Sequence, residues 1–125
     1  MKNKFALLVV VLLVCLFSFG SSFAGLGEGQ TWQSFNAINR AFNVTYQNTT
    51  NDPIQIAVSL KSSSGPGTSS IKVATVATFS FNVAEINLPA GIGFSIPYSV
   101  IVPPGHYYRV DTTSKITWGK WSELR

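Results

Sequence analysis

The sequence predicts an all-β domain, a small antiparallel β-sandwich or jelly-roll-like fold. Apolar residues recur at every second position from residue 42 onward, and turn signals rich in Gly, Pro or Asn separate the alternating runs. No segment shows the 3.6-residue apolar stripe of an amphipathic helix. A chain of 125 residues has room for one domain, and its 11% of charged residues provide little attraction for nucleic acid.

The first 24 residues have the three parts of a secretory signal peptide. Lys2 and Lys4 precede an apolar run from Phe5 to Phe19, and Ser22 and Ala24 form a small-x-small cleavage site. Cleavage after Ala24 would leave one domain, residues 25–125, in the periplasm, on the cell surface or in the medium. The alternative is an uncleaved N-terminus that keeps the domain on a membrane, although the run is shorter than the roughly 20 residues of a spanning helix.

Cleavage would also change the chemistry available to the domain. It removes Cys15, so no disulfide, thiol nucleophile or cysteine metal site is expected. It removes Lys2 and Lys4 and leaves seven basic residues against five acidic ones, a net charge of +2. The remaining basic residues are scattered along the sequence, which argues against a nucleic-acid partner.

The first half of the domain predicts a hairpin and a loop. Alternation at Phe42, Val44 and Tyr46 and again over residues 54–60 indicates two strands, joined by a turn at residues 48–53. Residues 62–70 contain Ser, Gly, Pro and Thr and no apolar side chain, which predicts a flexible loop that serves either as a binding loop or as a spacer.

Four further runs complete the predicted sheets. Residues 71–75 predict a strand. After it, Phe79, Phe81 and Val83 are expected to face the core. The alternation then shifts by one residue before Ile86 and Leu88, which indicates a β-bulge.

The last two runs frame a turn. Residues 94–102 alternate, with Pro97 indicating an edge position, and residues 102–105 predict a type II turn before a strand containing Tyr108. In the last strand, residues 115–124, Gly119 is expected to break parity so that Trp121 reaches the core.

Catalytic chemistry has few candidates. His106 is the single histidine, and only Asp111 and Glu85 could assist it in a small hydrolase. The five acidic residues show no spacing that forecasts a carboxylate pair, and one His without Cys cannot hold zinc. An oxygen-only calcium site around Asn51 and Asp52 is the remaining possibility, and the sequence predicts no metal and no cofactor.

Aromatic residues are numerous for so weakly charged a domain, and their rings can stack on sugars. We expect ligand contacts at Tyr107, which is out of phase with Tyr108, at Arg109 and at Trp118, on loops at one end of the sandwich.

Several motifs together resemble a small module at the C-terminal ends of bacteriophage tail fibres and related prophage proteins. They span nearly the whole predicted domain and are Gly29-Gln30-Thr31-Trp32, Arg40-Ala41, Tyr46, Asn48-Thr49-Thr50, Pro53-Ile54, Val102-Pro103-Pro104-Gly105, Tyr108 and Trp121-Ser122-Glu123-Leu124. The resemblance implies a β-sandwich head that trimerises on a fibre shaft and contacts the host surface, often its polysaccharide. Fibre proteins lack a signal peptide and carry a long shaft, so we expect an exported, shaft-less form here.

Three hypotheses follow for function. The first is an exported, non-catalytic receptor-binding module that recognises a cell-surface polysaccharide or an envelope protein. The second is an oligomerisation or assembly protein of phage or prophage origin, a homo-oligomer with Trp32 and Trp121 as core anchors. The third is the small secreted hydrolase, which depends on His106 or Asp111.

Overall fold

A computed structural model describes residues 25–62, 64–91 and 95–125, together with the backbone but not the side chain of Trp118. The signal peptide predicted for residues 1–24 and the predicted strand residue Phe94 lie outside these described residues. Within them, no helix has the length and hydropathy needed to cross a membrane.

Eight strands form two four-stranded antiparallel sheets, which confirms the predicted all-β fold of a small sandwich. The strands are β1 (Trp32–Phe35), β2 (Tyr46–Gln47), β3 (Ile54–Ser62), β4 (Gly67–Ala74), β5 (Ala84–Leu88), β6 (Ile96–Val102), β7 (Tyr107–Thr112) and β8 (Ile116–Leu124). The first sheet has the order β1-β8-β3-β6, and the second has the order β2-β7-β4-β5.

The core lies between the two sheets and follows the alternation in the sequence. Strand β3 contributes four aliphatic side chains, all buried: Ile54, Ile56, Val58 and Leu60. They belong to one cluster with Trp121 of β8 and with residues of the second sheet, including Ile71, Leu88, Tyr108 and Val110. Each such aliphatic side chain contributes about 1.5–3 kcal/mol through removal of apolar surface from water.

The predicted hairpin of residues 42–60 is wrong. Strand β2 pairs with β7 in the second sheet, whereas β3 pairs with β6 and β8 in the first. Asn43 has a φ of 62°, which interrupts the extended chain before β2. Residues 48–53 therefore carry the chain from one sheet to the other.

The loop predicted at residues 62–70 is shorter than expected. Gly67 to Ser70 begin β4, and Ser69 and Ser70 are buried. The Ser69 hydroxyl lies 2.5 Å from the Tyr98 hydroxyl and donates to the Asp111 carbonyl oxygen at 3.0 Å, so a polar side chain is satisfied inside the sandwich. Alternation of apolar residues could not reveal this strand end.

The inward set predicted at Phe79, Phe81 and Val83 is also wrong. These residues lie outside the strands, in the connection between β4 and β5, and Phe81 is 67% exposed. The continuation of the pattern is confirmed, because Leu88 is buried in β5 and Ile86 packs against the core.

The C-terminal half follows the predictions closely. Strand β6, which contains Pro97, is an edge strand. Gly105 has a φ of 73°, and the His106 amide donates to the Pro103 carbonyl oxygen, as in a type II turn. The register of β8 shifts next to Gly119, as predicted. Only glycine fits at this position, because a Cβ there would lie 2.7 Å from the Ser59 carbonyl oxygen.

Only one of the two predicted tryptophan anchors lies in the core. Trp121 is fully buried and pairs with Phe35 of β1. Trp32 is 54% exposed, because its partner in the register is Leu124 on the outward-facing side of the same pair of strands. The expectation that Trp32 anchors the core is therefore wrong.

Candidate functional site

The most polar feature of the interior is the carboxylate of Glu123, which is fully buried between the sheets. Arg40 binds it with both ends of its guanidinium group, Nε to Oε1 at 2.6 Å and Nη2 to Oε2 at 2.9 Å. The Tyr108 hydroxyl and the Trp121 indole N–H also donate to Oε1, at 2.8 and 3.0 Å. Arg125 Nε lies 3.4 Å from Oε2.

These contacts determine the charge state of the cluster. Burial alone would raise the pKa of the Glu123 carboxyl, but Arg40, Tyr108 and Arg125 together hold that pKa below its ordinary value. Burial and the Glu123 charge raise the pKa of the Tyr108 phenol, which therefore stays a hydrogen-bond donor. Glu123 is held as an ionised group, whereas a general acid needs a raised pKa.

Arg40 also ties the segment before β2 to the sandwich. Its guanidinium carbon lies 4.3 Å from the centre of the Phe35 ring and 4.7 Å from that of the Tyr46 ring. The Tyr46 hydroxyl accepts a hydrogen bond from the Ala41 amide at 2.7 Å. The cluster thus fastens an irregular segment that has few core side chains of its own.

A second buried polar residue, Asn48, joins two turns. Its side-chain NH₂ donates to the carbonyl oxygens of Asp52 and Val102, at 2.9 and 3.0 Å. Its side-chain oxygen accepts from the Thr50 amide and hydroxyl, and its backbone bonds to His106 and Gly105. Many residues of the motifs quoted from the sequence therefore belong to these two buried clusters, where their contacts stabilise the fold.

The predicted contacts Tyr107 and Arg109 lie on strand β7, not on a loop, and face outward from the second sheet. Arg109 Nε lies 2.6 Å from Asp111 Oδ1, and Lys72 Nζ lies 2.8 Å from Asp111 Oδ2. The Phe79 ring lies 5.0 Å from the Arg109 guanidinium carbon. We call this surface, formed by Lys72, Tyr107, Arg109 and Asp111, the charged face.

The third predicted contact, the Trp118 side chain, lies outside the described side chains. Its backbone pairs with Leu60 in the first sheet, so the register does not place it beside Tyr107 and Arg109 on β7. The roles of Tyr107, Arg109 and Trp118 in binding stay predictions.

His106 borders a crevice at one end of the second sheet. The crevice has a volume of about 360 Å³ and is lined by residues 73–76, Thr78, Ser80, Phe81 and His106. His106 Nδ1 lies 3.0 Å from the carbonyl oxygen of Pro104 in its own turn. Asp111 is paired with two cations and Glu85 accepts from the Asn82 side chain, so both predicted catalytic partners of His106 are held by other groups.

Sequence reasoning missed the outward side of the first sheet. The register aligns Trp32, Leu124, Gln55 and Ile101 in one row across β1, β8, β3 and β6. The next row contains Ser34, Ser122, Ala57 and Ser99, and a third contains Lys120, Ser59 and Pro97. None of these residues is buried. We call the three rows together the Trp32 face.

The Trp32 face belongs to a hydrogen-bonded sheet and is nearly uncharged. Lys120 is its single charged residue, and the side chains of the second row are short. Gln55 Nε2 donates to the Ser99 hydroxyl at 3.2 Å, which holds the amide against the sheet. An exposed indole beside hydroxyl and amide groups is a surface on which a sugar ring can stack and form hydrogen bonds.

Metal chemistry has no assembled ligand set in the described ranges, where no three His, Cys, Asp or Glu side chains come close enough to share an ion. Comparison of the chain with family models, curated proteins and solved structures finds no match among them. The geometry of the two outer faces is therefore the basis for a functional proposal.

Proposed function

We propose that this protein is an exported, non-catalytic binding module, resembling the heads of phage tail fibres, that recognises a cell-surface glycan or an envelope partner. The observation that carries the proposal is the exposed Trp32 on a strand of the sandwich. Tryptophan is a large apolar side chain that folding normally covers, and exposed aromatic residues are enriched where proteins bind ligands.

The rigidity of this surface supports a binding role. Trp32 lies on β1, which pairs with β8 over four residues, and its backbone is flanked by mutual hydrogen bonds between Thr31 and Arg125, at 2.9 and 3.2 Å. A strand whose backbone is held in place before the ligand arrives loses little conformational entropy on binding.

The state of the carboxylates supports a non-catalytic role. Burial alone would raise the pKa of the Asp111 carboxyl, but Arg109 and Lys72 hold that pKa below its ordinary value, as Arg40 does for Glu123. Both groups are ionised and bound to cations, which is the arrangement of structural ion pairs.

The assembly hypothesis is the second candidate, and one observation favours it. Among the strands that the structure describes, β3 is the single hydrogen-bonded neighbour of β6, and Ile101 on β6 is 53% exposed. An open sheet edge with an exposed aliphatic residue is a surface that a second copy can extend.

The proposal is tested by binding of the labelled, folded protein to intact bacterial cells, with purified surface polysaccharide as the competitor. We expect saturable binding that Trp32→Ala weakens by about tenfold or more, as for a central aromatic contact. Phe81→Ala is the matched control, because it removes another exposed ring, from the connection between β4 and β5 and away from the first sheet.

The same assay separates the two outer faces. If Trp32→Ala binds as the wild type does while Tyr107→Ala, Arg109→Ala or Trp118→Ala loses binding, the contacts predicted from the sequence are correct and the Trp32 face is not the site. Absence of any cell binding at micromolar protein, together with a native mass that is a multiple of the chain mass, would favour the assembly protein.

A further inference from the structure

We infer that the Trp32 face binds an uncharged polysaccharide whose chain lies across the four strands of the first sheet, with one sugar ring stacked on Trp32. The inference rests on the proposed function and adds the class of ligand and its direction on the surface. It is carried by the row geometry, the charge and the size of the Trp32 face.

The first row runs continuously across the four strands of the first sheet. Trp32, Leu124, Gln55 and Ile101 occupy consecutive strands in register. Adjacent strands are separated by about 4.8 Å, so the row is about 14 Å long, enough for several linked sugar rings. Trp32 at one end and Ile101 at the other are both more than half exposed, at 54% and 53%.

The second row differs from the first in the length of its side chains. Its side chains are short, Ser34, Ser122, Ala57 and Ser99, so the longer side chains of the first row stand above them. The step between the rows supplies an apolar edge on one side and serine hydroxyls on the other. A sugar ring has the matching combination, an apolar C–H face and a rim of hydroxyl groups.

Charge selects against an acidic or basic ligand. Neither of the first two rows contains a charged residue, and Lys120 in the third row is the single charge of the face. A charged ligand would lose hydration there without meeting a counter-charge. On the charged face of the other sheet, Lys72 and Arg109 would receive an acidic polymer instead.

The size of the face argues against a second copy as the occupant. Each outward residue of a sheet covers about 4.8 by 6.8 Å, so the three rows present about 350 Å². A stable protein interface buries about 800 Å² on each partner. The three rows alone provide less surface than such an interface needs, and they are large enough for a short length of one polysaccharide chain.

The test is affinity electrophoresis of the full chain through gels that contain neutral polymers (dextran, mannan, galactan) or acidic polymers (alginate, polygalacturonate). We expect a neutral polymer to retard the protein, and we expect Trp32→Ala to weaken that retardation by about tenfold or more. Trp32→Phe keeps a ring and should retain part of it, and Phe81→Ala should match the wild type.

A second pair of variants tests charge without changing the core. Ser99 and Ser80 are both exposed serines, but Ser99 lies in the second row and Ser80 lies beside the crevice of the other sheet. Ser99→Glu should reduce retardation by the neutral polymer by about tenfold or more, because the bound polymer would cover the new carboxylate and remove its hydration. Ser80→Glu should leave the retardation unchanged.

The outcomes distinguish the inference from the proposed function. Retardation by acidic polymers alone, no retardation by any neutral polymer, or equal retardation of the wild type and Trp32→Ala would overturn the inference. If cells are bound in any of these cases, the proposed function stands without the neutral ligand. A dimer that Trp32→Ala dissociates would assign the face to a second copy and would also overturn the inference.

Discussion

Replacing Arg40 with methionine isolates the energetic role of the buried ion pair. The Arg40 side chain is 13% exposed and Glu123 is fully buried, with a contact of 2.6 Å between them. Methionine keeps contact with the Phe35 and Tyr46 rings but removes the charge, and it leaves Glu123 in the core. Removing one partner of a buried pair costs about 3–5 kcal/mol, and we expect Arg40→Met to lose that much stability at pH 7.

The loss of stability in Arg40→Met should be larger at neutral pH than at acidic pH. In the wild type the pKa of Glu123 lies below its ordinary value of 4.5, so its stabilising contribution is present above pH 4.5 and is lost as the pH falls through the lower pKa of the folded state. In Arg40→Met burial dominates and raises that pKa, although Arg125, Tyr108 and Trp121 still face the carboxyl. The stability deficit of the variant is therefore largest at neutral pH and narrows as the pH falls through the raised pKa of its Glu123. It narrows further below pH 4.5, where the wild type begins to lose the contribution of the ion pair.

Urea unfolding at pH 7 and at pH 4 measures both quantities. Lys72→Met is the matched control, because it removes a partly exposed ion pair at 2.8 Å and should cost about 0–1 kcal/mol. The double variant Arg40→Met, Glu123→Gln should recover at least about 1.5 kcal/mol, since no unpaired carboxylate remains in the core. A loss below about 1 kcal/mol that is equal at both pH values would refute a buried, charge-dependent clamp.

Three further results are expected. Gly119→Ala should destabilise the fold by about 1–3 kcal/mol, because its Cβ would lie 2.7 Å from the β3 backbone. Gly65→Ala should be tolerated, because its Cβ would lie 3.8 Å from the nearest atom. Equal free energies of unfolding for the two variants would contradict the close approach of β8 to β3. Asn48→Ala should cost at least about 2 kcal/mol in urea unfolding, because the Val102 carbonyl oxygen loses a buried donor and the Asp52 carbonyl oxygen loses one of its two donors. A loss typical of a surface residue would show that the joined turns hold without Asn48. Burial raises the pKa of Tyr98 to about 12 and also raises the pKa of Tyr108. In an absorbance titration of the folded protein, both phenols should therefore remain mostly protonated at pH 11. Ionisation of all four tyrosines by that pH would disprove their burial.

The apolar alternation predicts most strands because a half-buried strand requires it. Strands β3, β6 and β8 follow it closely. The edge position of Pro97, the turn at Gly105 and the register shift at Gly119 depend on the backbone properties of proline and glycine, which the sequence shows directly.

The failures have a different origin, in contacts between distant residues. The residues around 42–60 alternate as a hairpin does, but Asn48 is satisfied by Val102, 54 positions away, and the chain changes sheet there. Arg40 and Glu123 are 83 positions apart, and no spacing rule indicates that they meet. Exposure of Trp32 follows from the register of β1 against β8, which composition and alternation do not determine.

The strand order constrains when this fold can form. Of the six hydrogen-bonded strand pairs in the described part of the chain, only β4 with β5 joins strands that are neighbours in the sequence. The strands β7 and β8 follow the other strands in the sequence and lie at interior positions of the two sheets, where β1 pairs with β8 and β2 pairs with β7. Neither sheet can therefore close until distant parts of the chain have come together. Closure of such long loops makes folding slow.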